Sequence, residues 1–61
     1  WDSHAYRAET AIVWSGDFCV ELRDRTLHLG PGQCCVVPAG AEHRGTSKNG
    51  AEIILFTTVA G

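Results

Sequence analysis

Apolar residues along this chain recur at every second position rather than every third or fourth. Phe18, Val20 and Leu22 alternate with Cys19, Glu21 and Arg23, and Leu27 and Leu29 flank His28. A period of two marks strands that turn one face to a core and the other to water. Gly, Pro, Asn and Asp interrupt these runs at Gly16-Asp17, Asp24-Arg25, Gly30-Pro31-Gly32, Pro38-Ala39-Gly40 and Lys48-Asn49-Gly50. Glycine reaches positive φ and proline presets φ, so each cluster is a turn signal with a steric cause. The strands expected between them cover about 10–15, 18–23, 26–29, 33–37, 43–47 and 51–59. The stretch 6–11 alone has a pattern that suits a helical turn, and no capping residue opens it. Short strands with regular turns predict an all-β sandwich or barrel, a single domain over residues 1–61.

Two runs lack polar alternation, Cys34-Cys35-Val36-Val37 and Ile53-Ile54-Leu55-Phe56. They read as strands covered on both faces. A chain this short buries only about 60% of the surface it exposes when unfolded, and one thin layer cannot cover both faces of a sheet. A second copy covering one face is the simplest solution, so a homodimer is expected. The chain opens on Trp1 rather than methionine. N-terminal strands are therefore expected to be missing, and the open sheet edge they would leave also favours association.

Composition narrows the partners. Five Lys and Arg stand against seven Asp and Glu, a formal charge of −2. The basic residues are scattered, which gives no electrostatic footprint for nucleic acid or an anionic membrane; a small-molecule ligand is the expected partner. No apolar run is long enough to span a bilayer, and no signal peptide is visible. The three cysteines, Cys19, Cys34 and Cys35, include no Cys-x-x-Cys pair. Neighbours on a strand point to opposite faces, so Cys34 and Cys35 are poorly placed to bridge each other. Free thiols are expected, as small hydrophobes in a reducing compartment, which favours a cytoplasmic location. Without disulfides, a core of this size needs another staple, a metal or an oligomer.

Candidate chemistry gathers around two histidines. His4 follows Asp2 by two residues, so on a strand both side chains share a face. Glu9 comes five residues after His4, enough to pass a bend and return on the next strand. His43 follows the turn at Pro38-Ala39-Gly40. Two imidazoles with one or two carboxylates suit Fe, Mn, Ni or Zn. Spacing alone leaves open solvated or hydrogen-bonded histidines. No glycine-rich phosphate loop and no Ser/His/Asp arrangement is present, so no nucleotide cofactor is expected. His28 is expected on the outer side of its sheet, Trp1 and Trp14 in packing, and Glu42 in solvent. Arg44 should point away from the face that holds His43. Tyr6 and Arg7 fall in the bend after His4, as a solvated loop or a pocket mouth.

The order of these residues resembles the cupin superfamily. Asp2-x-His4-x4-Glu9-x6-Gly16 is similar to the first cupin motif, His-x-His followed by a glutamate and a glycine. Gly32-x5-Pro38-x-Gly40-x2-His43 is similar to the second motif as far as its histidine. The short spacing between them is that of small single-domain cupins. The resemblance implies a small cupin-type jelly roll or β-barrel of about six strands, completed by dimerisation. It implies that His4, Glu9 and His43 hold one divalent metal inside the barrel. Asp2 stands where the family has its first histidine, as an oxygen donor or as a position left to water. Ser47 stands where the family has an asparagine. Two histidines and one carboxylate suit non-haem Fe(II) and leave coordination positions open. Ile12, Trp14, Val36 and Phe56 are expected to line the barrel. Small cupins include dioxygenases, isomerases and decarboxylases, so the resemblance implies metal-dependent chemistry on a small organic molecule. The alternative is a non-catalytic module for a small acid or sugar, its metal structural or absent. A third reading is an incomplete barrel whose main property is self-association.

Overall fold

The computed structural model describes residues 1–3 and 7–57. Its strands are β1 (Glu9–Gly16), β2 (Phe18–Leu22), β3 (Thr26–Leu29), β4 (Cys34–Val37), β5 (His43–Thr46) and β6 (Ala51–Thr57). The turn clusters delimit them closely. The one helical alternative, over 6–11, gives way to β1 from Glu9 onward, which pairs on both edges.

Two antiparallel sheets result, ordered β4-β1-β6 and β3-β2-β5. Among the described residues, β2 and β3 are the one consecutive pair joined as a hairpin. Every other connection passes from one sheet to the other, which is the jelly-roll arrangement expected. The crossing from β1 to β2 turns at Gly16, whose φ of +86° disfavours a side chain. A Cβ there would also sit 2.8 Å from the Cα of Ala51. The Ser47 hydroxyl donates to the Asp17 carbonyl at 2.6 Å, and the Lys48 amide donates to the Asp17 carboxylate at 3.4 Å. Ser47 thus ties two corners together. Among the described residues, no helix is long and apolar enough to cross a membrane.

The core follows from strand parity. Ala11, Val13, Val20 and Val37 are buried, with Val13 only 1% exposed. On β1 the inward set is Glu9, Ala11 and Val13, and the register places Ala11 opposite Cys35 and Leu55. The alternate set faces out. Ile12 lies opposite Cys34 and Ile54, and Thr10 lies opposite Val36 and Phe56. This corrects the expected barrel lining. Trp14 is 70% exposed, Val36 60%, Ile54 48% and Phe56 46%. Ile12, Trp14, Val36 and Phe56 therefore belong to an apolar outer face, and Trp14 does not pack in the core. The cause is the period of two: with Glu9 turned inward, every odd residue up to Val13 turns inward with it. The runs in β4 and β6 are also not covered on both faces within the chain; their outer sides are open to solvent.

Candidate functional site

Between the two sheets lies a cavity of about 420 Å³. Ala11, Val37 and Leu55 wall it from one sheet, Phe18 and Val20 from the other, and Glu9, His43, Asp2 and Arg44 bring the polar groups. The Phe18 ring lies over Gly45, where an added Cβ would fall 3.0 Å from Cε1. A glycine at that position gives the ring its place in the wall.

His43 is held by the backbone on three sides. The Ala41 amide donates to the Pro38 carbonyl at 3.2 Å, with Gly40 at φ +81°, a type II turn. β5 starts directly after it and pairs His43 with Leu22 of β2. On its other edge the Asp2 amide donates to the His43 carbonyl at 2.7 Å, and the His43 amide returns a bond to the Asp2 carbonyl at 2.9 Å. The side chain is buried, and its Nδ1 lies 3.1 Å from the Ala41 carbonyl oxygen. A carbonyl only accepts, so Nδ1 carries the proton and donates.

That bond fixes what the other nitrogen does. His43 Nε2 lies 3.4 Å from Glu9 Oε1, and both side chains are largely shielded from water. A neutral ring in this tautomer aims the Nε2 lone pair at a carboxylate. The two atoms are close enough to share a proton or a metal ion. The donor set fits a divalent first-row metal: one imidazole, oriented through its second nitrogen by a carbonyl, and one carboxylate. Their separation is shorter than two metal–ligand bonds of about 2.0–2.2 Å laid end to end.

Of the sequence candidates, Glu9 and His43 are brought together. Asp2 is placed beside His43 by backbone pairing, and directly opposed residues share a face. Its Oδ1 accepts from the Ser3 amide at 3.1 Å. His4 lies outside the described residues, as does Tyr6. Among the described residues, no three His, Cys, Asp or Glu side chains converge as a metal cluster. Cys35 is half-buried, and its thiol is pushed above the ordinary range by burial first, then by Cys34 and Glu9. It stays protonated near neutral pH.

The rim departs from expectation in part. Arg44 borders the cavity, while its guanidinium pairs with Glu21 across the β2–β5 ladder, on the face away from His43 as expected. Trp1 is 49% exposed, so it is not a core residue. The Arg23 guanidinium lies 3.8 Å from its ring centre and that of Arg44 4.9 Å. Stacking on guanidinium planes is where its packing comes from. Arg23 also binds Glu42 at 2.9 Å, so Glu42 is paired rather than simply solvated. The hydrogen bond from Arg23, then its charge, holds the Glu42 carboxyl below the usual range. Nothing local in the sequence signals this cluster, since its members come from the N-terminus, the β2–β3 turn and β5.

Three comparisons bear on this geometry. The cupin domain family Cupin_2 matches residues 1–59. A crystal structure of a cupin-2 domain containing protein from Shewanella frigidimarina NCIMB 400 superposes with a TM-score of 0.84 at 30% identity, covering 98% of this chain and 58% of that one. The chain thus spans little more than half the length of that relative. No curated protein matches the chain. The family match over nearly every residue, the shared jelly-roll fold and the inward Glu9–His43 pair agree: the chain belongs to the cupin domain family.

Proposed function

We propose that this cupin domain holds a divalent metal ion (Fe, Mn, Ni or Zn) at Glu9 and His43, with His4 as a further ligand and Asp2 beside it. In this reading it acts on a small organic molecule in the cavity between the sheets. The observation that carries this reading is the Glu9–His43 pair, 3.4 Å apart on the cavity wall with Nδ1 of the ring already engaged. When bound, the metal would polarise a carbonyl or bind oxygen, the chemistry of dioxygenase- or isomerase-like cupins. The chain's own residues do the rest. The Ala41 carbonyl orients the ring and keeps Nε2 as the ligand atom. Ala11, Val20, Val37, Leu55 and Phe18 exclude water and bind apolar parts of the ligand.

Elemental analysis of purified protein tests this, together with metal titration of the wild type, His43→Ala and Asp2→Ala. The wild type should carry about one equivalent; His43→Ala should lose most affinity and Asp2→Ala less. Binding should weaken on acidification, because neutral imidazole is the ligand form. Retention of metal by His43→Ala would sink the site. One observation favours a second reading, a non-catalytic module for a small acid or sugar. The Asp2 carboxylate is engaged by the Ser3 amide through its Oδ1. A ligand that binds equally well after chelation of all metal would favour that module.

Two further properties belong with the proposal. The apolar outer face of β4-β1-β6 supports a homodimer, because association would remove that surface from water. Three free thiols support a reducing, cytoplasmic location.

A further inference from the structure

The second sheet carries its own pair of reactive groups on the side away from the cavity. On β2, Val20 is buried and lines the cavity with Phe18, so Cys19 and Glu21 face out. The register places Cys19 opposite His28 on β3 and Thr46 on β5. Cys19 Sγ lies 3.2 Å from His28 Nδ1, and the ring is exposed. An imidazole at hydrogen-bond distance from a thiol is the arrangement that activates sulfur as a nucleophile.

The charged neighbours leave that pairing undisturbed. Glu21, next along β2, is bound by Arg44. Asp17 accepts from the Lys48 amide. Thr26 on β3 and Thr46 on β5 are uncharged. The base at the sulfur is therefore His28. The other cysteines are placed differently: Cys35 is half-buried with its thiol raised, and Cys34 lies opposite Ile12.

We propose that Cys19 is a thiol–disulfide exchange site for small organic disulfides, with His28 as its proton acceptor. Sγ bonds to one sulfur of the disulfide, and the S–S bond of the reagent breaks. The second sulfur leaves with the electron pair and takes the proton from the His28 imidazolium. Cys19 is oxidised to a mixed disulfide, and the leaving half is reduced to a thiol. The small disulfide is the oxidant, and nothing else is needed. The modified face is separated from the cavity by the sheet itself.

The test is site-resolved labelling of the reduced full chain with 5,5′-dithiobis(2-nitrobenzoate) at pH 7, read by peptide mass mapping. Cys19 should label several-fold faster in the wild type than in His28→Ala, while the Cys34 rate is the same in both. An undiminished Cys19 rate in His28→Ala would overturn the proposal.

Discussion

Strand parity makes a quantitative prediction. Val13→Ala and Val36→Ala remove the same two carbons from opposite faces of one sheet. Val13 is 1% exposed and Val36 60% exposed. At about 0.8 kcal/mol per buried methylene, plus a term for the cavity left behind, Val13→Ala should cost about 2–3 kcal/mol. For Val36, little surface is lost to begin with, so the cost should be about 0.6 kcal/mol. The whole domain has roughly 3–9 kcal/mol to lose, so the first substitution should remove a large share of its stability. Urea unfolding followed by tryptophan fluorescence reads the difference. With a slope of about 1 kcal/mol/M, expected for a small chain, the midpoint should drop by about 2–3 M for Val13→Ala and about 0.6 M for Val36→Ala. Equal shifts at the lowest protein concentration would refute the assignment of Val13 to the core and Val36 to the outer face. If a second copy covers Val36, its cost should grow as protein concentration rises, whereas that of Val13 should change little.

Further outcomes follow from the same geometry. Phe56→Glu places a charge on the apolar outer face, and sedimentation should show a dimeric wild type and a monomeric variant; a wild type that stays monomeric at micromolar concentration would rule out the proposed dimer. Gly40→Ala meets nothing within 4 Å, so its cost comes from φ +81° alone, about 1–2 kcal/mol in thermal or urea unfolding. It should also weaken metal binding, because the same turn aims His43. Cys35 has its thiol raised in the folded chain, so the unfolded thiol ionises first. Stability should therefore hold below the ordinary thiol range and fall as pH rises through it toward the folded value; Cys35→Ala should flatten that fall.

What the sequence determined on its own is local. Phe18-Cys19-Val20-Glu21-Leu22 could only half-bury as a strand, because its period is two. Pro38-Ala39-Gly40 had to turn, because Gly40 reaches a φ that other residues avoid. Those two facts set the strands, the turns and the start of β5 at His43. The resemblance added the family, and with it the expectation that Glu9 and His43 face the same interior. The tertiary structure decided which face of each strand is interior, a choice that period two leaves degenerate. Ile12, Trp14 and Phe56 are bulkier than Ala11, Val13 and Val37, and Val36 is the same residue as two of them, yet all four lie on the outer face. Glu9 held the missing clue, since its inward carboxylate sets the parity of β1 as far as Val13, after which the register shifts. The contacts of Trp1 with Arg23 and Arg44, of Glu9 with His43, and of the His28 ring with Cys19 depend on strand register. Register arises when distant segments pair, and no window of sequence contains it.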